Sequence, residues 1–358
     1  MKRDYSLVGE SARRAVESGL ASAEWYHTEI PRKVMKELMQ RSDGPAIRDT
    51  VIWLGCLVLS AAGGIYFWGS WWCVPFFFVY GVLYGSAFDS RWHECGHGTA
   101  FKTRWMNDVV YQIASFMGMR NPASWRWSHA RHHTDTIIVG RDAEIAVMRP
   151  PDLLRAALSF VGILDAFESL RTLVRNAFGN LNADERNYIP ETEYGKAIAA
   201  ARWHVAIYVA TIAASLYFWS FLPLMLIGLP RLYGCWHMVL TGLLQHIGLA
   251  DNVVDHRLNS RTVYMNPISR FIYLNMNYHV EHHMFPMVPY HALPKLHELI
   301  KHDLPKPNPS MWHAYKEAWP VVLRQLRYED HYLKRELPPT ARPYREEFHN
   351  LDVAAAAE

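Results

Sequence analysis

The stretch of sequence that decides the fold is Val51–Ser90, which reads VIWLGCLVLSAAGGIYFWGSWWCVPFFFVYGVLYGSAFDS. It contains no Lys, Arg or Glu, and its one acidic residue, Asp89, is next to the end. A stretch of this length supplies two membrane-spanning helices of about 20 residues each. Gly69 and Ser70 allow a tight turn between them, beside tryptophans of the kind found at membrane–water interfaces. The stretch predicts a helical hairpin with spans at about residues 51–69 and 72–90.

A second stretch of this kind runs from His204 to Gln245 and contains one fixed charge, Arg231. It predicts a second hairpin, with spans at about residues 204–219 and 221–245. Every other Lys and Arg lies before the first hairpin, between the two or after the second, and the positive-inside rule assigns all three regions to the cytosol. We therefore expect an all-α integral membrane protein with four transmembrane helices in two hairpins and a cytosolic helical cap. The expected parts are a cytosolic segment 1–50, a membrane domain 51–300 and a cytosolic tail 301–358.

The composition agrees with few spans and a large polar part. Of the 358 residues 50% are hydrophobic, and the mean hydropathy is only −0.11. A net charge of +3 without a basic cluster argues against nucleic acid as a partner. The four cysteines form neither a disulfide framework nor a paired zinc motif, which fits a reducing compartment.

Histidine is abundant, and eight of the 19 histidines fall in three short clusters. The clusters are His93-Glu-Cys-Gly-His97, His129-Ala-Arg-His132-His133 and His279-Val-Glu-His282-His283. Spacings of three and four residues place the imidazoles of each cluster on one side of a helix. One such pair alone is more often a hydrogen-bonded surface or core pair. Three clusters, each following a predicted hairpin or its cap, indicate a shared catalytic metal centre.

The number of imidazoles indicates two metal ions, because a tetrahedral zinc takes four ligands. Imidazole binds iron, copper and zinc, and an open, nitrogen-rich site favours iron that can bind dioxygen, with zinc and copper as alternatives. A ninth ligand is expected at the end of the fourth predicted span. His246 stands there, whereas His237, nine residues earlier, would face roughly the opposite side of the helix. We select His246.

The three clusters, in this order and interrupted by the second hairpin, closely resemble the histidine boxes of the membrane fatty acid desaturase and hydroxylase superfamily over roughly residues 50–300. The flanking words that share the resemblance are Gly98-Thr99-Ala100-Phe101, Trp127-Ser128, Thr134-Asp135-Thr136, Asn277-Tyr278 and Phe285-Pro286. The resemblance implies a cytosolic centre of two iron ions beside four spans, with O2 as co-substrate. The iron ligands that it implies are His93, His97, His129, His132, His133, His279, His282 and His283, with His246 matching the position after the fourth span.

The resemblance also bears on the substrate and on the electron supply. The short first box and Glu281 inside the third look more like the acyl-lipid and bacterial branches than the acyl-CoA enzymes of animals. A bacterial inner membrane is the expected location. We expect no fused cytochrome domain, so that a separate ferredoxin, rubredoxin-like protein or cytochrome, with its reductase, supplies the electrons.

Several carboxylates are candidates to accept hydrogen bonds from metal-bound imidazoles, which commonly have such partners. Asp89, Asp135 and Asp251 are the main candidates, and Asp142 and Glu144 lie near the second box. The alternative for each is a solvated or helix-end carboxylate.

Three residues are candidates for substrate contact. Arg231 would lie inside the fourth span, where a charge is costly and often functional, although a snorkelling or internally paired Arg is the alternative. Trp125 and Trp127 could line a substrate entrance, and interfacial packing would explain them equally well.

The function expected first is an O2-dependent oxidase that introduces a double bond into a fatty acyl chain carried on a lipid, CoA or a carrier protein. The alternative with the same chemistry is hydroxylation, or desaturation of a terpenoid, a sphingoid base or a small specialised metabolite. A metal transporter is disfavoured because the boxes lie outside the spans. A zinc hydrolase would need fewer ligands and a general base.

Overall fold

The structure is a computed structural model that describes residues 3–348. Residues 349–358, the end of the predicted cytosolic tail, lie outside the described residues. Within the described range the chain is helical and forms no β-strand, and two isolated bridges join Thr262 to Tyr278 and Val263 to Asn308.

The described residues form nineteen α-helices. In chain order they are α1 (Glu10–Glu17), α2 (Arg32–Leu38), α3 (Asp43–Tyr66), α4 (Cys73–Gly85), α5 (Ala87–His97), α6 (Arg104–Met117), α7 (Pro122–Thr134), α8 (Leu153–Ser159), α9 (Ile163–Ala177), α10 (Ala183–Tyr188), α11 (Tyr194–Tyr217), α12 (Leu222–Leu226), α13 (Pro230–Tyr233), α14 (Trp236–Gly242), α15 (His256–Asn259), α16 (Pro267–Ile272), α17 (His279–Met284), α18 (Leu293–Ile300) and α19 (Met311–Gln325). Short 3-10 helices lie at Leu20–Ser22, Glu191–Glu193, Leu243–Gln245 and Glu346–Phe348.

Three helical segments of the described chain are long and apolar enough to cross a membrane: Arg32–Tyr66, Cys73–His97 and Glu191–Tyr217. The first and third of these segments expose large apolar side chains, such as Leu59 at 72% and Leu216 at 66%. Exposure of such large apolar surfaces is unfavourable in water and favourable in the hydrocarbon core of a membrane. The chain is a membrane protein.

The observed helices differ in extent from the predicted spans. The first begins at Asp43, eight residues before the predicted start, and α11 begins at Tyr194, ten residues before its predicted start. Hydropathy locates only the apolar part of each helix, because a hydrophobic window ends where charged residues begin. The charged first turns of these two helices are therefore missed. The second predicted span is interrupted at Ser86, where α4 ends and α5 begins.

The fourth predicted span, residues 221–245, is not one long helix. The chain there forms the short helices α12, α13 and α14 and a 3-10 turn. Pro223 and Pro230 begin new helices, and Gly228 between them has a φ of +96°, which a right-handed helix does not allow. Such broken helices are tolerated at membrane depth where the protein itself satisfies the freed backbone groups. Ser86 does this here, because its hydroxyl donates to the Gly234 carbonyl at 2.6 Å and accepts from the Met238 N–H at 2.9 Å.

The segments before and after the apolar region pack onto the central part of the chain. A buried network joins them, in which the Arg257 guanidinium donates to Asp255 at 2.9 Å and to Asp303 at 2.9 Å. Asp303 also accepts from the hydroxyls of Tyr26 at 2.7 Å and Thr28 at 2.6 Å. The N-terminal segment is thereby anchored beside the third histidine box.

Candidate metal centre

Each histidine box lies on a helix whose ends are set by local sequence. The first box occupies the last two turns of α5, which ends at Gly98 in the left-handed conformation. The second lies on α7, where the Asn121 side chain caps the helix and Pro122 occupies its first position. The third forms the short helix α17.

The nine predicted ligands come together in two groups. The first consists of His93, His97, His129, His133 and His282, and the second of His132, His246, His279 and His283. Within each group the ligand nitrogens all lie within 4.8 Å of one another. The groups adjoin, since the ring centres of His133 and His283 are 4.5 Å apart. All three boxes and His246 therefore form two neighbouring groups, each of which could hold a metal ion.

The spacing of the nitrogens suits a metal ion. In the first group the Nε2 atom of His133 lies 3.2 Å from the Nε2 atoms of His129 and His282. In the second, the Nε2 of His279 lies 3.0 Å from those of His246 and His283. Two imidazole nitrogens bound about 2.1 Å from one ion at a right angle are about 3 Å apart.

Hydrogen bonds of the opposite ring nitrogens fix the tautomers of two of these imidazoles. The Nδ1–H of His129 donates to Glu144 at 2.9 Å, and that of His246 to the Asn259 carbonyl at 2.8 Å. A neutral imidazole that donates from Nδ1 carries a bare lone pair on Nε2. The Nε2 of His129 lies 3.2 Å from that of His97, and the Nε2 of His246 lies 3.0 Å from that of His279. Lone pairs are therefore available inside both groups, and the donor set fits a bound cation.

Two more ligand imidazoles are held in the same way. The Nδ1–H of His132 donates to Asp142 at 2.8 Å. Thr136 donates its hydroxyl to the His132 carbonyl, so its oxygen accepts from the Nδ1–H of His283 at 3.2 Å. Such partners fix the tautomer and the ring orientation of metal ligands.

Burial and mutual repulsion keep these imidazoles in the form that binds metal. Burial lowers the pKa of His133, His282 and His283 well below 6.5, and neighbouring imidazoles lower each pKa further. Burial alone would raise the pKa of Glu144, but the adjacent His129 and the hydroxyl of Ser128 lower it to about 2. Glu144 is therefore ionised at neutral pH and adds a negative charge beside the first group.

The three main candidates for carboxylates that orient a ligand are corrected by the structure. Asp135 pairs with Arg141 at 3.0 Å, and Asp251 pairs with Arg3 and Arg149, so neither contacts a ligand imidazole. Both aspartates neutralise arginines that pack around the site. Asp89 is partly buried, and its side chain makes no hydrogen bond or ion pair within residues 3–348. The carboxylates that contact ligands are Asp142 and Glu144.

The alternative ninth ligand, His237, lies outside the metal-binding groups, and the substrate candidate Trp125 lies beside the first group. His237 is outside both groups and contacts the Ser269 hydroxyl at 3.1 Å through Nε2. Trp125 is buried and stacks on Trp92, with ring centres 3.3 Å apart, and the Trp92 ring lies 4.9 Å from that of His129.

Trp127 instead packs with Leu181, Ile189 and Ala197. Arg231 is only 1% exposed, and its guanidinium carbon lies 5.7 Å from the centre of the Phe88 ring. Its Nε and Nη1 have no hydrogen-bond partner among the described residues.

Sequence reasoning did not find two further features of the site. Asn259 and Thr136 hold ligand rings. Thr136 belongs to a flanking motif that shares the family resemblance, but nothing in the sequence assigns either residue to a ligand. Glu281, inside the third box, is fully buried and accepts from the Thr262 hydroxyl at 2.6 Å and from His297. Its position between His279 and His282 on a helix indicates that its side chain faces away from the metals. There it anchors α17.

Comparison with known proteins agrees with this geometry. The model of the fatty acid desaturase family matches residues 69–315, more than half of the chain. A protein of Synechocystis sp. named sn-1 oleoyl-lipid 12-desaturase is 34% identical over 110 residues, 30% of each chain. An omega-6 fatty acid desaturase of Glycine max is 37% identical over 75 residues, 20% of this chain and 19% of its own. These matched segments are less than a third of the length of either relative.

A longer match joins the chain to a protein of Arabidopsis thaliana named sn-2 acyl-lipid omega-3 desaturase (ferredoxin), chloroplastic. It is 21% identical over 335 residues, 86% of this chain and 72% of the relative. The metal-binding donor set, the apolar helices and the family match lead to one conclusion. The chain belongs to the fatty acid desaturase family.

Proposed function

We propose that this protein is an O2-dependent di-iron oxidase that introduces a double bond into a fatty acyl chain carried on a lipid, CoA or a carrier protein. The observation that carries the proposal is the convergence of nine imidazoles in two adjoining groups. Hard-to-oxidise C–H bonds require a metal of this kind, because no protein side chain supplies an oxidant strong enough. The named relatives act on acyl lipids, which supports an acyl substrate.

The proposed ligands are His93, His97, His129, His133 and His282 for one iron, and His132, His246, His279 and His283 for the other. When bound, the two irons supply the activation of dioxygen and the removal of two hydrogen atoms. Five nitrogens in one group and four in the other leave both sites short of six ligands, which fits a centre that binds a further molecule.

The chain's own residues would orient the centre and exclude water. Glu144 and Asp142 hold the rings of His129 and His132 by their Nδ1–H groups. Trp92 and Trp125 form an apolar wall beside the first group, with the Trp92 ring 6.0 Å from that of His93. An acyl methylene beside this wall would lie in a water-poor environment, which protects the reaction from side products.

The proposed topology keeps four membrane crossings, with residues 221–245 as a broken fourth one. Helix α11 has 24 residues and is about 36 Å long. Its first turns contact α7, the helix of the second box, because the capping residue Asn121 donates to the Ala197 carbonyl at 2.8 Å. His246 lies again beside the boxes, 3.0 Å from His279. The chain between Tyr217 and His246 must therefore return across about the same depth.

The proposed arrangement has a cytosolic segment 1–50, a membrane domain 51–300 and a cytosolic tail from 301, with the metal centre on the cytosolic face. The concentration of Lys and Arg outside the apolar segments supports it. We further propose a bacterial inner membrane as the location, and an external one-electron donor such as a ferredoxin, rubredoxin-like protein or cytochrome. The printed name of the Arabidopsis relative includes ferredoxin, which supports the first of these.

The test is product formation in a host whose lipids lack the product, with a ferredoxin and its reductase expressed alongside. We expect new unsaturated acyl chains by gas chromatography and mass spectrometry in air, and none without O2 or in His132→Ala. His237→Ala is the matched control and should keep activity, because His237 lies outside both groups. Hydroxylated chains, or no O2-dependent change with fully iron-loaded protein, would contradict acyl desaturation.

A further inference from the structure

A tenth histidine lies against the metal centre without belonging to either group. His256 is 2% exposed, and its ring centre is 5.1 Å from that of His283. Its Nδ1 has no hydrogen-bond partner among the described residues. His256 thus packs on the proposed iron ligand His283. No hydrogen bond among the described residues explains why a polar Nδ1 is buried there.

Trp25 continues this contact toward the surface. Its ring stacks on His256, with centres 4.2 Å apart and planes inclined by only 8°. The indole N–H donates to the Thr134 carbonyl at 3.0 Å, and this bond is exposed to solvent. Since Thr134 directly follows His133, the N-terminal segment is held against the second box. The rings of Trp25, His256 and His283 form a continuous series from the surface to the second group.

Desaturation needs such a route, because its electrons do not all come from the substrate. Removal of two hydrogens from an acyl chain supplies two electrons and two protons, whereas reduction of one O2 to two waters consumes four of each. Two further electrons and two protons must enter per double bond. Six of the nine ligands are buried and His97, His133 and His246 are partly buried, so a carrier protein reaches the metals through the side chains that surround them.

We infer that Trp25 and His256 form the entry route for electrons from a one-electron carrier protein that binds over Trp25. The inference rests on the proposed function. In each step the reduced carrier loses one electron and one iron gains it, with no bond made or broken in the protein. Two such steps supply the two electrons that one double bond requires. The Trp25 and His256 rings are nearly parallel, and the His256 and His283 rings are inclined by 33°. Aromatic rings in these contacts give stronger electronic overlap than aliphatic side chains in the same place.

The test injects electrons next to Trp25 and times their arrival. A ruthenium polypyridine photosensitiser is attached at Glu24→Cys, an exposed position, after the accessible cysteines are replaced by Cys56→Ser and Cys73→Ser. After a flash with a sacrificial reductant, reduction of the iron centre is followed by rapid-freeze EPR. We expect the rate to fall by about an order of magnitude in Trp25→Leu and in His256→Leu, and to stay close to the parent in Trp25→Phe and His256→Phe.

Two controls separate this inference from the proposed function. Iron content and reduction by dithionite, which diffuses freely, should be unchanged in every variant. If a leucine variant loses iron, His256→Gln, which keeps a polar group but no ring, takes its place. Parental injection rates in the ring-free variants would overturn the route while leaving the di-iron enzyme intact. Failure of the parent to bind iron would instead contradict the proposed function.

Discussion

Replacement of Glu144 should weaken metal binding although Glu144 is not a proposed ligand. Its carboxylate accepts from the Nδ1–H of His129 at 2.9 Å and from the Ser128 hydroxyl at 2.7 Å. Loss of such a partner typically lowers metal affinity or activity by about 10- to 100-fold, or roughly 1.4–2.7 kcal/mol. Although burial raises the pKa of Glu144, His129 and Ser128 lower it to about 2, so the carboxylate is charged at neutral pH and can accept both bonds.

Glu144→Gln and Glu144→Ala divide this effect into charge and geometry. The amide of Gln can still accept from His129 and donate to Ser128, so we expect a loss near the lower limit, and Ala should reach the upper limit. Iron affinity is measured by competition with a ferrous chelator. The matched control is Asp135→Asn, because Asp135 pairs with arginines and contacts no ligand. Equal iron affinity in Glu144→Ala and the parent, with equal thermal stability, would refute the reasoning.

Two further predictions concern stability, measured by thermal unfolding in detergent. Gly234→Ala should destabilise the protein by about 1–3 kcal/mol, because its Cβ would lie 1.8 Å from the Gly81 carbonyl oxygen, whereas Gly55→Ala, with free space around it, should be neutral or slightly stabilising. An unchanged melting temperature in Gly234→Ala would contradict the close approach of these two segments. Arg257→Met should cost about 3–5 kcal/mol, because it leaves buried Asp255 without its cation, and Arg155→Met, which breaks an exposed pair with Glu168, should cost less than about 1 kcal/mol. Equal costs for the two arginines would show that the buried network contributes little.

The sequence predicts the apolar helices well where hydropathy decides the structure. The first hairpin and α11 are found near their predicted places, because long uncharged stretches have few other stable conformations in hydrocarbon. Helix starts such as Asp43 are missed, since hydropathy does not follow a helix into its charged first turn. Residues 221–245 are missed for a different reason. The break between α13 and α14 is stabilised by Ser86, which contacts Gly234 and Met238 from a distant part of the chain.

The eight box imidazoles are predictable because their spacing on helices is itself the signal, and His246 is predictable from its position at the end of the fourth predicted span. Their division into two groups is not, since His282 joins the first group and its neighbour His283 the second, which depends on how α17 meets α7. The carboxylates show the same limit. Asp135 lies closer in sequence to the second box than Glu144, yet the turn after α7 directs Glu144 to His129 and Asp135 to Arg141. Trp25 precedes the boxes by more than 60 residues and gives no sequence signal of its contact with His256.

The central claim is that the nine imidazoles bind two irons, and Mössbauer spectroscopy tests it most directly. Protein grown with iron-57 and purified in mild detergent is compared with His282→Ala, from the first group, and His283→Ala, from the second. We predict close to two irons per chain in the parent, in two neighbouring sites, and loss of iron in both variants. One zinc per chain, or fully metallated protein without iron, would contradict the claim.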